Sequence, residues 1–405
     1  MNSSIRAFFP ALSRMYREKP LIFLDGPAGV QVPEMVIEAI AEYYRKSNAN
    51  THGQFITTQE TDEVMHNCRE SLAIFLGAES ARNISLGQNM TTLNFALSLA
   101  MGRYLQAGDE ILITQLDHES NRGPWLALRK QGVVVREVRL RENGTLDYED
   151  FAHKINEKTR LVAMGLASNI FGTINEVSLI RRLTHQVGAW LLLDAVHYAP
   201  HFTIDVQDLD CDFLLCSAYK FYGPHVGILY CKTGLLDRLD PNRLRTTEQQ
   251  APYSIETGTL NHAAMAGVLA AVQFLASLGL GTDLREQLVH AFQKIVQHER
   301  ALAQGLYEGL ADIPGIRVIG PDFNTIQRAP TISFVMEGKT PTAVCQALAV
   351  ENICAWDGHF YAIKATEVLG LAPLGGVTRM GISLYTMQEE VDFTLEVLRK
   401  MRSNY

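Results

Sequence analysis

Residues 190–231 read WLLLDAVHYAPHFTIDVQDLDCDFLLCSAYKFYGPHVGILYC, a stretch that contains the short apolar runs WLLLDAV, FLLCSAYK and VGILYC. Runs of this length are typical of strands buried on both faces of a sheet. Similar runs precede them along the chain: LIFLD, NISLG, EILITQ, VVVREVRL and RLVAMGLAS. Helical patterns lie between the runs, among them PEMVIEAIAEYYRK, TQETDEVMHNCRESLAIFLG and SLIRRLTHQVG. The sequence therefore predicts an α/β fold whose large domain is built around a mostly parallel sheet.

The pattern changes after about residue 260. Long helical stretches, HAAMAGVLAAVQFLASLG and LREQLVHAFQKIVQHERALAQGLYEGL, are followed by the strand-like segments GIRVIG, PTISFVM and TRMGISL and by a last helix, EEVDFTLEVLRKMR. This order favours a smaller α+β domain at the C-terminus. We predict an N-terminal segment (1–20) that packs on the small domain, a large domain (21–280) and a small domain (281–405).

Composition and charge exclude several classes of protein. Hydrophobic residues make up 47% and charged residues 20% of the 405 residues, as in ordinary globular proteins. The net charge is −8 and no long run of lysine and arginine occurs, so a nucleic-acid partner is not expected. Arginine and proline interrupt the first residues, which predict neither a secretory signal nor a membrane span and favour a cytoplasmic protein. The cysteines form no C-x-x-C pair, and we expect buried free thiols and no metal site at Cys68, Cys211, Cys216, Cys231, Cys345 and Cys354.

Two charged residues directly follow apolar runs in the opening stretch. Asp194 follows WLLL, and Lys220 follows FLLCSAY. Ligands of an open parallel sheet bind beyond the carboxyl ends of its strands, so both side chains are expected at the same edge of the sheet. Either one alone would more often be a strand-end charge in solvent. Together they suit pyridoxal 5'-phosphate (PLP), because a lysine can form an imine with it and a carboxylate can keep its ring nitrogen protonated.

The phosphate of such a cofactor needs a site of its own. The segment NISLGQNMTTLNFALSLA is a glycine-containing loop that runs into a predicted helix. The free N–H groups and the positive dipole end of a helix N-terminus favour an anion. Taken alone, however, this loop would be interpreted as an ordinary helix cap.

The whole set of segments resembles a known family. The stretch from LLLDAV to GILY is similar to the class V aminotransferase family of fold-type I PLP enzymes, and within it to the cysteine desulfurase branch. The resemblance implies an aspartate aminotransferase-like fold, PLP as the cofactor, an amino acid as the substrate and a homodimer. The other segments that carry it are FLDGPAG (23–29), QLDHESNRGPW (115–125), SNIFGTINEV (168–177), IETGTLN (255–261) and TRMGISLY (378–385).

The resemblance also implies roles for residues around the cofactor ring. Lys220 would carry PLP as a Schiff base and take part in catalysis, with Asp194 at the ring nitrogen. His118 would stack on the ring and assist proton transfer, although an isolated histidine is more often a loop residue in water. Asn169 would lie on the same side of the cofactor, and His197 stands where desulfurases often have glutamine near the ring hydroxyl.

Phosphate and substrate contacts are implied in the same way. Arg379, assisted by Asn169, would bind the substrate α-carboxylate, a group that suits the bidentate guanidinium. Without the motif, Arg379 would be interpreted as a surface arginine on a strand. Thr259 would reach the phosphate of the neighbouring subunit in a homodimer. The remaining phosphate contacts would come from Gln88, Asn89, Met90 and Ser217.

One position departs from the family pattern. Desulfurases of this branch carry a cysteine on a loop after G-H-H, and it takes the substrate sulfur as a persulfide. This chain reads WDGHFYAIKA, with Tyr361 at the matching place and no cysteine within six residues on either side. Cys354 falls in the strand-like run NICAW. Tyrosine can hydrogen-bond or donate a proton but cannot carry sulfur, so Tyr361 is a candidate catalytic residue of another kind.

Several outcomes remain open once Lys220 has removed the α-proton. Loss of a β-leaving group would make the protein a carbon–sulfur lyase, which is our first expectation. Transamination comes second, and epimerisation is a further alternative. A PLP-binding protein without catalysis is the hypothesis from another class, and the retained lysine, aspartate, histidine and arginine speak against it.

Overall fold

The computed structural model describes residues 3–324 and 326–403. Residues 1 and 2 of the predicted N-terminal segment and residues 404 and 405 of the predicted small domain lie outside this description. The strands are β1 (Met15–Tyr16), β2 (Lys19–Pro20), β3 (Ile22–Phe23), β4 (Ile84–Gly87), β5 (Glu110–Thr114), β6 (Val134–Val138), β7 (Thr159–Gly165), β8 (Trp190–Asp194), β9 (Phe213–Ser217), β10 (Gly227–Cys231), β11 (Ile316–Ile319), β12 (Thr331–Met336), β13 (Ile353–Cys354), β14 (Trp356–Gly358) and β15 (Val377–Gly381). The helices are α1 (Glu34–Lys46), α2 (Ile56–Leu76), α3 (Met90–Tyr104), α4 (Gly123–Leu126), α5 (Tyr148–Lys154), α6 (Val177–Gln186), α7 (Val206–Leu209), α8 (His262–Ser277), α9 (Leu284–Ala311), α10 (Pro341–Val350), α11 (Ile363–Val368) and α12 (Gln388–Ser403).

A seven-stranded sheet forms the centre of the large domain. Its strand order is β4-β10-β9-β8-β7-β5-β6. Six strands run in one direction, and only β10 runs in the opposite direction. Every residue of β8 after Trp190 is buried, as is every residue of β9, β5 and β10. The prediction of an α/β fold with a mostly parallel sheet is confirmed.

One of the predicted sheet strands lies elsewhere. The run LIFLD contributes only β3, which pairs in parallel with β13 and not with the seven-stranded sheet. Burial explains the difference, because Ile22 and Leu24 pack in the C-terminal core with residues such as Phe334 of β12 and Leu306 of α9. The apolar run is therefore a buried strand, but it belongs to a different sheet.

Helix limits follow local stop signals. The first predicted helix starts at Glu34 because Pro33 occupies the N-cap position with extended backbone. Helix α2 ends at Leu76, and Gly77 provides the left-handed cap with φ 67°. Of the described helices, none combines the length and apolar character needed to cross a membrane.

The C-terminal region contains an antiparallel sheet with the order β11-β12-β15-β14. Helices α9, α10 and α12 contribute buried residues to the core that covers it, among them Leu306, Leu348 and Leu398. This arrangement matches the α+β texture predicted for the second half of the chain.

The N-terminal segment contacts both halves of the molecule. The ring of Phe9 lies 5.4 Å from that of Phe274 in α8 and 5.1 Å from that of Tyr385, which follows β15. Arg6 pairs with Glu390 of α12 at 3.0 Å. The domain limits near residues 20 and 280 stay a prediction.

Candidate active site

A cavity of about 1060 Å³ lies beyond the carboxyl ends of the central parallel strands. Asp194 ends β8, Ser217 ends the neighbouring β9, and Lys220 follows in the short turn after it. Trp356 of β14 and Arg379 of β15 line the cavity from the C-terminal sheet. The predicted site residues that line it are Asn89, Met90, His118, Asn169, Asp194, His197, Ser217, Lys220, Tyr361 and Arg379. Gln88 and Thr259 are exposed and are not part of this lining.

Lys220 is a buried amine at the floor of the cavity. Its Nζ donates to the carbonyl oxygens of Pro27 and, at 3.0 Å, of Ala28, both in the FLDGPAG segment. Burial lowers its pKa to about 7, and the positive charge of Arg379 acts in the same direction. A substantial share of Lys220 is therefore the free amine at neutral pH, which is the form that attacks a carbonyl.

Asp194 is a buried carboxylate on the strand next to that of Lys220. Burial raises its pKa to about 6, while the N–H of Val196, 2.9 Å from Oδ1, and the charge of Lys220 lower it. Asp194 is thus mostly ionised at neutral pH. It offers an anion to a cationic nitrogen inside the cavity.

His118 lies at the cavity wall in one tautomer. The N–H of Ser120 donates to His118 Nδ1 at 3.0 Å, so the neutral ring carries its proton on Nε2. Burial lowers the pKa of His118 to about 4, with smaller contributions from the charges of Lys220 and Arg379. The ring of Tyr361 lies 5.3 Å away, tilted by 35°. His118 is therefore a neutral ring with one N–H to donate.

His197 connects the cavity to a buried polar group behind it. Its Nε2 lies 2.9 Å from Thr331 Oγ1 of β12, and burial holds its pKa well below the usual value. Its ring lies 5.6 Å from that of His201, whose Nδ1 is 2.8 Å from Glu299 of α9. The position that we expected near the ring hydroxyl is thus a neutral imidazole held by the C-terminal sheet.

The N-terminus of α3 forms one end of the cavity. Asn89 caps this helix by accepting the N–H of Thr92 at 2.9 Å, and the N–H of Met90 donates to Ser217 Oγ at 3.0 Å. Gly227 allows the approach, because a Cβ there would lie 2.3 Å from the backbone of Asn89. The positive end of the α3 helix dipole and the Ser217 hydroxyl therefore lie together at the loop predicted to bind phosphate.

Arg379 is fully enclosed between protein groups and the cavity. It is 4% exposed, and burial lowers its pKa to about 9, so that it stays charged at neutral pH. Its Nη1 donates to Asn169 O at 2.8 Å. The Asn169 side chain donates in turn to Phe360 O at 2.9 Å. The side-chain amide of Asn169 is thus engaged with the 358–362 loop.

Tyr361 stands at the mouth of the cavity. Its side chain is 65% exposed, and its carbonyl accepts the N–H of Glu119 at 2.8 Å. Both Phe360 and Tyr361 have left-handed backbone, with φ 52° and 57°. No cysteine lines the cavity in the part of the chain that the structure describes.

The cavity also contains polar residues that were not predicted from the sequence. Asp117 is buried, accepts the N–H of Gly165 at 2.6 Å and has its pKa raised to about 7, mainly by burial. It follows β5 much as Asp194 ends β8, so its place after an apolar run was an available signal. Tyr219 and His225 also line the cavity with stacked rings 4.7 Å apart, and no sequence pattern predicted this pair.

Comparison with known proteins agrees with this geometry. The family model for aminotransferase class-V matches residues 22–393, which is nearly the whole chain. The chain belongs to this family. As a class-V aminotransferase family member, it is a PLP-dependent enzyme of the lyase or transferase type.

Relatives of this class-V enzyme cover its full length. It is 33% identical to a probable cysteine desulfurase of Halalkalibacterium halodurans, over 99% of this chain and 98% of that protein. It is 32% identical to a cysteine desulfurase of Shigella sonnei, over 98% of this chain and 97% of that protein.

Two solved structures of cysteine desulfurases have the same fold as this chain. The apo cysteine desulfurase of Thermococcus onnurineus NA1 has a TM-score of 0.91 at 26% identity and covers 100% of this chain and 99% of that chain. The cysteine desulfurase CsdA of Escherichia coli has a TM-score of 0.86 at 27% identity, with the same coverage.

The donor set of the cavity fits PLP. A buried amine with a lowered pKa, a buried carboxylate on the adjacent strand and a helix N-terminus match an aldehyde, a pyridine nitrogen and a phosphate, respectively. The class-V enzyme therefore has groups suited to the aldehyde, the ring nitrogen and the phosphate of the cofactor. The individual assignments of Lys220, Asp194 and the phosphate loop remain proposals.

Proposed function

We propose that this class-V enzyme is a carbon–sulfur lyase that acts on cysteine or a cysteine derivative by β-elimination, without a persulfide on the protein. The observation that carries the proposal is the place of Tyr361 at the cavity mouth, beside His118, in a cavity with no cysteine among its described lining residues. The named relatives are cysteine desulfurases, which supports a sulfur-containing amino acid as the substrate class.

The chain's own residues can bind and orient such a substrate. The Arg379 guanidinium, charged at neutral pH, suits the α-carboxylate. Lys220, with its pKa near 7, accepts the α-proton as its free amine. PLP supplies the electron withdrawal that makes this proton acidic, and Asp194 keeps its ring nitrogen cationic.

The sulfur leaves with the electron pair of its bond to Cβ. The bonds that break are Cα–H, with its proton going to Lys220, and Cβ–S, whose sulfur takes up a proton. Tyr361 can donate that proton, and the Nε2–H of the neutral His118 ring, which lies 5.3 Å from the Tyr361 ring, can donate a hydrogen bond to the sulfur. Water then releases the remaining three-carbon unit, so that cysteine and water give pyruvate, ammonia and hydrogen sulfide.

A desulfurase would give a different product from the same site. Alanine forms when a nucleophilic thiolate takes the sulfur and Cβ is protonated, which requires a cysteine near the substrate. Cys354, the cysteine nearest in sequence to Tyr361, lies half-buried in β13, and burial raises its pKa to about 11. It is therefore a poor nucleophile at neutral pH.

The product ratio tests the proposal. Incubation of the enzyme with cysteine and with cystine should give pyruvate and ammonia in excess over alanine, with no protein-bound persulfide. Tyr361→Cys should shift the ratio toward alanine and create a trappable persulfide, whereas Tyr361→Phe should keep pyruvate as the product. Alanine as the major product of the unaltered enzyme, with a persulfide on Cys354, would restore a true desulfurase. A keto acid that retains the sulfur, or a D-amino acid, would identify an aminotransferase or an epimerase.

We also propose that the enzyme is a homodimer. Thr259 lies in the segment that serves the phosphate of the neighbouring subunit in this family, and its exposure outside the cavity lining is consistent with contact to a second chain.

A further inference from the structure

Phe360 covers the guanidinium of the proposed carboxylate-binding arginine. The Arg379 guanidinium carbon lies 3.8 Å from the centroid of the Phe360 ring. At this distance the cation interacts with the negative face of the ring, and such contacts are strongest where water is excluded. Arg379 is 4% exposed, so this condition is met.

The ring is held in place from behind. Phe360 packs against a buried apolar cluster that includes Leu116, Phe171 and Ala362. The ring therefore sits between an apolar wall and the cation. It cannot leave the guanidinium without exposing apolar surface or opening a void.

Hydrogen bonds link the same residues in a closed triangle. Arg379 Nη1 donates to Asn169 O, and Asn169 Nδ2 donates to Phe360 O. The ring contact between Phe360 and Arg379 completes the triangle. Three segments far apart in sequence are thus joined at one point of the cavity wall.

The backbone at this point adopts a costly conformation. Phe360 has φ 52° and Tyr361 has φ 57°, a left-handed region that residues other than glycine rarely adopt. Two successive residues of this kind persist only where their surroundings hold them. The result of this turn is that Phe360 faces Arg379 while Tyr361 faces the cavity mouth.

We propose that Phe360 is a positioning residue that orients Arg379 toward the α-carboxylate of the substrate. Its ring blocks one face of the guanidinium and leaves the N–H groups at the edge of the plane to form hydrogen bonds, which is the direction from which a carboxylate binds. This inference rests on the carboxylate-binding role of Arg379 in the proposed function. It does not depend on which product the enzyme forms.

The test compares the binding of an amino acid with that of the same amine without its carboxylate. The holoenzyme and its Phe360→Leu and Phe360→Tyr variants are titrated with L-alanine and with ethylamine, and dissociation constants are read from the change in cofactor absorbance. Leucine keeps apolar volume without a ring, and tyrosine keeps the ring. Thermal unfolding of the three proteins checks that each is folded.

We expect Phe360→Leu to weaken the binding of L-alanine about tenfold, or 1.4 kcal/mol, with little change for ethylamine. Phe360→Tyr should leave the preference for alanine close to that of the unaltered enzyme. An equal loss for both amines in Phe360→Leu, or no loss for either, would overturn the inference. So would an unaltered enzyme that binds alanine no more tightly than ethylamine. Failure of the lyase proposal would appear separately, in the pyruvate assay.

Discussion

Lys220 shows how one residue's surroundings prepare it for reaction. An exposed lysine is almost entirely protonated at pH 7 and a poor nucleophile. Burial and the nearby Arg379 charge lower the pKa of Lys220 to about 7, with Asp194 opposing them. The side chain is therefore reactive because it is buried beside another cation.

The pH dependence of cofactor uptake follows from this pKa. The cofactor-free protein should react with added PLP at a rate that rises through pH 7 and levels off above about pH 8, because the free amine of Lys220 is the reacting form. Stopped-flow absorbance measures the rate, and a free lysine derivative in the same buffers corrects for titration of PLP itself. A rate that continues to rise to pH 10 would show that Lys220 has an ordinary pKa, and Lys220→Ala should lose the borohydride-reducible link.

The charge of Asp194 has a separate and testable role. Asp194→Asn keeps the shape of the side chain but removes the anion expected at the ring nitrogen. We expect PLP to bind and turnover to fall about 100-fold, a loss typical of removing a preorganised electrostatic partner. Turnover of Asp194→Asn equal to that of the unaltered enzyme would remove this residue from the mechanism.

Residues at strand ends were predictable, and residues on strained loops were not. Asp194 and Lys220 each come at the end of an apolar run. Such runs can be recognised in the sequence because strands buried on both faces need continuous apolar residues. Phe360 gave no such signal, since its role depends on a left-handed turn and on Arg379, nineteen positions along the chain. Family resemblance located Tyr361, but its ring contact with His118 required the fold.

At the scale of the elements, the run LIFLD shows what an apolar run cannot predict, namely which strand it pairs with. It has the composition of a strand and forms one, but Ile22 and Phe23 pair with β13 and Asp25 forms a single bridge to Gly381 of β15. An apolar run indicates burial, whereas the choice of partner depends on which core the rest of the chain leaves open. The other predicted strands and the long predicted helices are present at the expected positions, whereas the short strands β1, β2 and β14 were not predicted.

The junction between β10 and the β4–α3 loop depends on a missing side chain. A Cβ on Gly227 would lie 2.3 Å from the carbonyl carbon of Asn89, and neither backbone can move without disturbing the sheet or the helix cap. Gly227→Ala should therefore destabilise the protein by about 3 kcal/mol and weaken PLP binding, because the N-terminus of α3 shifts. Thermal unfolding with and without PLP measures both effects.

Gly305 in α9 provides the matched control. A Cβ there has no heavy atom within 4 Å outside the helix's own backbone, so Gly305→Ala should stabilise the helix by up to about 1 kcal/mol. Unchanged stability and PLP affinity in Gly227→Ala would show that the loop does not approach β10 as closely as the structure indicates.

At the scale of the whole molecule, the site needs both halves of the chain. Asp194 ends β8 of the seven-stranded sheet and Lys220 lies in the turn after β9, whereas Arg379 belongs to β15 of the antiparallel sheet in the C-terminal region. The cavity therefore lies where the two sheets approach each other, and the groups proposed to bind the cofactor and the substrate come from different parts of the chain. Movement between the halves would change the distance from Arg379 to Lys220.

The outer surface beside the cavity is apolar. Helix α3 presents Phe95 and Leu99, one turn apart, with 45% and 47% of their surface exposed, and both also line the cavity. Contiguous exposed apolar side chains often mark a contact surface between proteins. Together with Thr259 outside the lining, they support the proposed homodimer, and light scattering should give twice the chain mass.

If Thr259 serves the partner's site, each complete site takes residues from two chains. Lys220→Ala and Thr259→Asp should then each lose most activity, the first by removing the amine and the second by placing an anion at the phosphate. Mixed and allowed to exchange subunits, they should recover about a quarter of the activity of the unaltered enzyme, since half of the dimers are mixed and each holds one intact site. The control pair Lys220→Ala and Asp194→Asn should recover little, because both residues belong to one chain's site and no mixed dimer holds an intact one. Little recovery in both mixtures would assign Thr259 to its own chain's site, and full activity of Thr259→Asp alone would place it outside the active site. A monomer that binds PLP normally would contradict the homodimer.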